Sequence, residues 1–437
     1  MSNDGFFGFG AQATGAPATT EPVAFPTQPP ADPLANFNTL VAALTELKNP
    51  SASPTLLSIP EGDYEFKDQK LDFVIKAKQV TIQAQAGANV VLRNITIRVD
   101  LASIDRILIQ DLVFRSDGEG ATGDGIRLTP AEDATTTTLG QNFPASVRIT
   151  HCSFNGYDDI AIDSRSSVFF PFLAATIDHC LFFDSRPGMP DHLEQGESKL
   201  PFVDRGAINI GSTESPGGGP QLPSHSVVTV AYNAFIDVWR RCPRIADGNF
   251  GHIFNNILYR WGTGHYDDAN GGNTWRGIEI GGGDGITDVN RNDTTNGTAL
   301  IEANRFIPDP RKADLNDAIN IRPNTIVDVG VSLLPNQPSP NQPNRFDDDE
   351  GRAKEVTFLT TPAVGGDPKT DFTVPSQGFT IIGQVWPGQV SIPRPAATPV
   401  NNVDWKDLVR QAGPRRTTAA TSPENVARQK LLDVKNL

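Results

Sequence analysis

Three carboxylates stand at positions that suit the binding of a cation. Asp124 lies in GDGI, and Asp159 and Asp163 lie in YDDIAIDS. Residues at even separations along a strand point to the same side, so Asp159 and Asp163 share a face if this segment is a strand. Such carboxylates suit a hard cation such as Ca²⁺, which takes about six to eight oxygen ligands. Aspartates beside strands are also common as solvated or turn-capping side chains, so the trio alone leaves both interpretations open.

A cluster of arginines surrounds a proline directly after a predicted strand. Arg240, Arg241 and Arg244 flank Pro243 in the segment VWRRCPRIA. Proline cannot continue a strand ladder, so the arginines are predicted to project from the end of the strand. In a chain of net charge −14, such a cluster is a local anion site. Structural ion pairing is the alternative interpretation.

The elements that position these groups form a repeat. Each unit alternates apolar and polar residues and ends on a large apolar residue. The units cover 104–114, 145–154, 174–182, 226–235, 250–258 and 298–306. Their last residues are Phe114, Phe154, Phe182, Phe235, Leu258 and Phe306, and the residues two positions earlier are Leu112, Cys152, Cys180, Asn233, Asn256 and Asn304. Short repeats of this kind are typical of a parallel β-helix, in which like residues stack and asparagine amides bond along the stack.

Shorter strand-like pieces separate the units. They cover 123–128, 158–164, 206–212 and 276–284 and predict a second sheet in each coil. The insertions 129–144, 185–204 and 262–275 are predicted to leave the coil as loops that build a cleft on a rigid scaffold. Propeller blades would repeat at about 40–50 residues with signatures of their own, which the sequence lacks.

The predicted fold class is therefore all-β, a single-domain right-handed parallel β-helix. Residues 1–33 are predicted to form an extended arm rich in Gly, Phe and Pro, with the aromatic start GFFGFG as a candidate contact for homo-oligomers or assembly. Residues 34–345 form the β-helix, and a helix over 34–47 caps its first coil. Residues 346–437 form a C-terminal segment, with one or two short helices after Asp404 that pack on the coil exterior.

Composition restricts the function classes. The 39 Gly and 35 Pro favour strands joined by turns, and the net charge of −14 argues against a nucleic-acid partner. No apolar run approaches the ~20 residues of a membrane span. The three cysteines match no zinc spacing and are predicted to be buried small residues. The N-terminus shows no basic start followed by an apolar core, so no secretory leader is visible.

Two blocks in this order resemble family 1 polysaccharide lyases, the pectate lyases. Residues 241–256, RCPRIADGNFGHIFNN, are similar to that family's R-x-P-R-V-R…H-V-Y-N-N block, and THCSFNGYDDIAIDS (150–164) is similar to its D-H-C-S-F…D-G-x-x-D block. ALIEANRF (299–306) resembles a later coil, and the C-terminal VRQAGPRR…VARQKLLDVKNL resembles the closing segment. The resemblance covers about residues 58–306 and the tail.

The resemblance implies a function and a role for each matched residue. It implies cleavage of polygalacturonate, or a related acidic polysaccharide, by Ca²⁺-dependent β-elimination. Arg241 matches the arginine that removes the C5 proton, although this group could instead mainly stabilise negative charge. Asp124, Asp159 and Asp163 match calcium-binding acids, and Arg244, Arg205 and Lys199 are the candidates for substrate binding. By the same resemblance the protein is extracellular, through a leader removed from this sequence, another export route or attachment to a particle.

Two positions depart from the family pattern. The second arginine of the R-x-P-x-x-R motif is Ala246, and an acid often found before the first aspartate is Thr122. These departures, the GFFGFG arm and the absence of a visible leader motivate an alternative class. That alternative is a non-catalytic structural or carbohydrate-binding β-helix of a particle, phage fibre or surface appendage.

Overall fold

The computed structural model describes the chain in segments. They are 21–22, 33–49, 54–65, 71–116, 123–129, 145–157, 160–164, 173–184, 206–211, 227–246, 249–261, 276–281, 298–308, 317–321, 326–328, 344–347, 372–375, 403–416 and 420–437. Within them, three helices accompany strands that form three sheets. The predicted arm lies outside these segments apart from Glu21–Pro22 and Pro33, and the predicted loops lie outside them apart from Thr129.

We name the sheets A, B and C in the order in which the chain visits them. Sheet A consists of β1 (Glu21–Pro22), β2 (Thr55–Ile59), β5 (Gln79–Ala84), β8 (Arg106–Gln110), β11 (Ala145–Thr150), β14 (Leu173–Asp178), β17 (Val227–Ala231), β20 (Phe250–Phe254), β23 (Thr298–Glu302) and β26 (Ile326–Asp328). Sheet B consists of β3 (Gly62–Glu65), β6 (Val90–Arg93), β9 (Val113–Arg115), β12 (Ser153–Asn155), β15 (Leu181–Phe183), β18 (Ala234–Ile236), β21 (Ile257–Tyr259), β24 (Arg305–Ile307) and β27 (Arg345–Phe346). Sheet C consists of β4 (Leu71–Ile75), β7 (Ile95–Asp100), β10 (Ile126–Thr129), β13 (Ile160–Ser164), β16 (Gly206–Ile210), β19 (Arg244–Ile245), β22 (Arg276–Ile280), β25 (Asp317–Ile321) and β28 (Phe372–Pro375).

Each turn of the chain adds one strand to each sheet. Neighbouring strands are parallel throughout, except that β28 pairs antiparallel with β25. Three parallel sheets wound by one chain are a parallel β-helix, as the sequence predicts. The sequence interpretation of two sheets per coil is wrong, because each recurring unit holds two strands that belong to different sheets, such as β8 and β9.

The corner from sheet A to sheet B explains this difference. In seven coils two residues separate the strands, and in six of these the first residue has a positive φ. These residues are Asp111, His151, His179, Tyr232, Asn255 and Ala303, with φ between 51° and 60°. One left-handed residue redirects the chain, which then enters the next sheet. The corner of the second coil is longer, since residues 85–89 separate β5 from β6.

The interior is built from stacks of like residues. Phe154 stacks between Phe114 and Phe182 with ring centroids 5.0 Å apart on each side, and Phe306 and Phe346 continue the stack 4.8 Å apart. The asparagines bond from coil to coil: Asn233, Asn256 and Asn304 each donate from the side-chain amide to the next asparagine, ending at Asn344. The predicted aromatic and asparagine columns are therefore confirmed, and they extend one coil further than the sequence periodicity suggested.

Helices cover the first coil and one side of the stack. Helix α1 (Pro33–Glu46) buries Phe37, Leu40 and Leu44 in the main core, as predicted for a cap. Helices α2 (Trp405–Gln411) and α3 (Pro423–Leu432) pack on sheet B through a second apolar cluster that includes Leu408 and Leu431. No helix in the described segments is long and apolar enough to cross a membrane.

Candidate active site

The arginine cluster is fixed within sheet C. The amide of Ile208 donates to the Arg241 carbonyl (2.9 Å), and the amide of Cys242 donates to the Gly277 carbonyl (2.7 Å). The segment is therefore bonded to β16 on one side and to β22 on the other. Arg240, Arg241 and Arg244 are all at least 96% buried. They are therefore not a charged patch on the exposed surface.

Arg241 owes its position to a glycine in the neighbouring coil. Its backbone is left-handed, with φ 58°. A Cβ placed on Gly206 would lie 3.0 Å from Arg241 Cβ and 3.1 Å from Arg241 Cδ. Real Cβ atoms rarely approach other atoms so closely, so the arginine side chain packs over β16 only because residue 206 has no side chain.

A polar column runs across sheet C beside this cluster. The strand register pairs Arg127 with Asp163, Asp163 with Asn209, Asn209 with Arg244 and Arg244 with Glu279. The isoleucines beside them, such as Ile162 and Ile208, face the core. Adjacent strands are ~4.8 Å apart, so the five positions span about 19 Å along the stack. We call these five residues the polar column.

Asp163, in the polar column, and Asp124, beside it, each have a contact with a neighbouring side chain. The Asn209 side-chain amide donates to Asp163 Oδ1 at 2.8 Å, and Asp163 is 1% exposed. Asp124, three residues before Arg127, is equally buried and forms an ion pair with Arg127. Thus a neutral amide donates to Asp163, and a guanidinium pairs with Asp124.

These contacts bear on the predicted calcium ligands. A ligating carboxylate commonly carries a supporting hydrogen bond, and the Asn209–Asp163 bond suits that role. The Arg127 guanidinium competes with a cation for Asp124. Among the described residues, no group of three His, Cys, Asp or Glu side chains could hold a metal ion. Asp159 lies outside those residues, so the described part of the predicted trio does not by itself make a calcium site.

The remaining predicted residues fall into three situations. Arg244 occupies the polar column, two strands from Asp163. Arg205 and Lys199 lie outside the described residues. The departure Ala246 is fully buried, and its carbonyl accepts from the side-chain amide of Asn249 (2.6 Å).

Two other side chains of the family-like block serve the scaffold. His252 lies in sheet A, where its Nε2 is 2.9 Å from Glu302 Oε1, with both side chains fully buried. Burial, with Glu279 nearby, raises the pKa of the Cys242 thiol well above its ordinary value. The thiol therefore stays protonated and is not a nucleophile.

Sequence reasoning did not single out Arg127, Asn209 and Glu279. A signal was present, because each follows an isoleucine in a strand of the same sheet: IRL, IDS, INI and IEI. Aligning these pieces on the isoleucine places all three in one row with Asp163.

The strand order and the interior stacks define a parallel β-helix protein with a polar column and a buried arginine cluster on one sheet.

No family model and no curated protein matches the chain. Among solved structures, a pectate lyase from Paenibacillus sp. 0602 is 15% identical with a TM-score of 0.40, over 71% of this chain and 82% of that one. The pectate lyase Bsp165PelA from Bacillus sp. N165, in complex with trigalacturonate, is 16% identical with a TM-score of 0.39, over 76% and 86%. A pectate lyase bound to a hexasaccharide is 12% identical with a TM-score of 0.39, over 67% and 77%. At these values the fold assignment rests on the strand order itself.

Proposed function

We propose that the protein is a polysaccharide lyase that cleaves polygalacturonate, or a related polyuronate, by Ca²⁺-dependent β-elimination. The observation that carries the proposal is the burial of Arg241 and Arg244 in sheet C beside the Asp163–Asn209 pair. Buried guanidinium groups on a rigid sheet suit recognition of the carboxylates of an acidic sugar chain. The resemblance of residues 150–164 and 241–256 to family 1 lyases supports the same assignment.

The reaction consumes no water and needs few groups. A base removes the C5 proton of a uronate, the C4–O bond breaks as a C4–C5 double bond forms, and the departing oxygen takes a proton. Arg241 is the proposed group at C5, and Arg244 is proposed to hold a substrate carboxylate. A guanidinium is ordinarily a cation, so proton removal requires neutral Arg241, whereas stabilisation of the developing negative charge requires the cation. The dependence of kcat on pH distinguishes these two roles.

The calcium part of the proposal depends on Asp163 together with Asp159. These two carboxylates would hold the ion, whose positive charge would make the C5 proton of a bound uronate more acidic. Asp163 is held in place by Asn209. A contribution from Asp124 requires its ion pair with Arg127 to open. Arg205 and Lys199 remain proposed substrate contacts, and export from the cell remains a proposal.

The test is the ultraviolet absorbance of the unsaturated product when polygalacturonate and Ca²⁺ are mixed with the full chain. We expect activity that EGTA abolishes and that Arg241→Ala lowers by about 10²–10⁴-fold, the usual contribution of a positioned proton-transfer group. Arg410→Gln, which removes an exposed arginine from α2, is the matched control and should keep full activity. If a panel of polyuronates gives no absorbance change from mildly acidic to alkaline pH, the lyase assignment is wrong and the non-catalytic alternative takes its place.

A further inference from the structure

A cavity lies at the corner between sheets A and B, away from sheet C. Its volume is about 290 Å³, which corresponds to roughly ten water molecules and is enough for one sugar ring. It forms where the long corner of the second coil meets the segment between α2 and α3. Its lining consists of residues 83–88, Gln110, Asp111 and Pro414–Arg416. We call it the corner pocket.

Arg416 is the feature that indicates a ligand. Its side chain is 3% exposed. Among the described residues, its Nε and Nη1 have no hydrogen-bond partner. Its Nη2 is 3.9 Å from Glu424 Oε1, too far for a hydrogen bond. Buried guanidinium donors without acceptors are costly, and burial lowers the pKa of Arg416 accordingly. An acceptor supplied from the pocket would remove this cost.

The charges around Arg416 favour an anion. Glu424 is shared with Arg115, whose Nη2 lies closer, at 3.2 Å. Arg428 is also near Glu424 and Arg416, and its Nε and Nη2 donate to the Ala412 carbonyl. Three guanidinium groups therefore lie around two carboxylates, because Glu61 is also near Arg416, and one positive charge is left in excess. The carboxylate that lines the pocket, Asp111, is neutralised by Arg415 through a two-point ion pair.

The opposite wall of the pocket is neutral and polar. The Gln110 amide donates to Gln83 Oε1 at 2.6 Å, and Gln85 lies at the start of the corner. Side-chain amides both donate and accept, so they suit hydroxyl groups. A guanidinium on one side and amides on the other match a molecule that carries a carboxylate and neighbouring hydroxyls.

We propose that the corner pocket binds one sugar-acid unit, with the carboxylate on Arg416 and the hydroxyls on Gln83 and Gln110. The unit is either a free hexuronic acid or a residue of a polyuronate chain. This site is separate from the Arg241 cluster, and it does not depend on turnover there.

Calorimetric titration of the full chain with galacturonate tests the proposal, and galactose is the neutral match. We expect Arg416→Gln to weaken galacturonate binding at least tenfold, while Arg410→Gln leaves it unchanged. Galactose should bind at least tenfold more weakly than galacturonate. In Arg241→Ala, galacturonate binding at the corner pocket should persist, which separates this proposal from the lyase proposal. Tighter binding of oligogalacturonate than of galacturonate would identify a polymer residue as the ligand, and equal binding would identify the free acid.

A second variant tests the pocket independently, in case Arg416→Gln does not fold. Ala86 is exposed on the pocket rim, so Ala86→Trp should block the pocket while Arg416 stays in place. We expect it to abolish the same binding event. The proposal is overturned if galacturonate binds equally well to Arg416→Gln and Ala86→Trp, or if no binding to the wild-type chain is detected. Sulfate that competes with galacturonate at equal affinity would also overturn it, because the pocket would then select charge alone.

Discussion

The side chain of Arg241 lies directly on Gly206, the first residue of β16, where an added Cβ would stand 3.0 Å from Arg241 Cβ. The contact joins two coils and leaves the arginine little freedom. The glycine is therefore as much a part of the candidate site as the arginine, although it carries no functional group.

Substitution Gly206→Ala should impair activity more than it impairs stability. The new methyl group must displace Arg241, since the other close atom, Ile160 Cδ1, is the tip of a flexible side chain. We expect kcat/KM for polygalacturonate to fall by about 10²-fold, the usual effect of a misplacement of about 1 Å. The control is Gly62→Ala, where a Cβ would meet Tyr64 Cε2 at 2.9 Å in the first coil. Equal losses of activity in the two variants would refute the positioning role.

The asparagine column should contribute strongly to stability. Asn256 is fully buried, accepts from the backbone and side-chain amides of Asn233, and donates to Val230 and Asn304. Asn256→Ala leaves several buried groups unpaired, so we expect a loss of about 3–5 kcal/mol in the free energy of unfolding, measured with urea. The exposed Asn89 provides the control, and its change to alanine should cost less than about 0.5 kcal/mol. A small effect of Asn256→Ala on the free energy of unfolding would mean that water molecules replace the hydrogen bonds of the asparagine column.

The histidine stack at the A–B corner should make stability depend on pH. His151 stacks on His179 with ring centroids 4.9 Å apart. Burial, followed by His179 and Arg415, lowers the pKa of His151 from 6.5 to about 4. Between these values the unfolded chain binds the proton and the folded chain does not, so this contribution to stability falls as pH drops from 6.5 to about 4. The pKa of Asp178 is lowered from 3.8 to about 2, so its protonation affects stability mainly at pH values below this range.

Replacement of His151 by asparagine should flatten that slope. Asparagine tolerates the left-handed backbone at this position (φ 51°) and does not titrate. Urea unfolding of both proteins at intervals from pH 7 to pH 4 measures the effect. Parallel curves for the wild type and His151→Asn would show that His151 does not cause the slope.

An ion pair ties the last coil to the C-terminus. Arg305 Nε donates to Asp347 Oδ2 at 2.6 Å, and Arg305 Nη2 donates to the Asn436 carbonyl at 2.8 Å. Both charged side chains are at least 99% buried. Asp347→Ala leaves a buried cation without its carboxylate, so we expect a loss of about 3–5 kcal/mol. The double variant Arg305→Met with Asp347→Leu should recover most of it, and no recovery would point to packing rather than charge.

Much of the interior could be predicted from the sequence, because stacked residues repeat along it. Phe154 and Phe182, or Asn233 and Asn256, are visible as like residues at matching places. The corner inside each unit could not be predicted. Left-handed backbone is usually signalled by glycine or asparagine, but here His151, Tyr232 and other side chains adopt it.

The candidate site was only partly predictable for a related reason. Arg241 and Asp163 stood out in the sequence as members of an arginine cluster and an aspartate trio, and the family resemblance implied their roles. Asn209 and Glu279 join them through the strand register. A local pattern, the polar residue after each isoleucine, indicates that Asn209 and Glu279 share a row with Asp163. Arg244 follows Pro243 instead of isoleucine, so only the strand register shows that it belongs to this row.

The short corner described above has an evolutionary consequence. A residue inserted into a two-residue corner would reverse which side chains of the following strand face inward, so that corner resists change. The connections that enter and leave sheet C vary widely, from one residue between β6 and β7 to twenty-five between β27 and β28. Insertions are therefore tolerated best at the two borders of the sheet that carries the polar column. Loops of different length can therefore present different binding surfaces beside sheet C without destabilising the stacked coils.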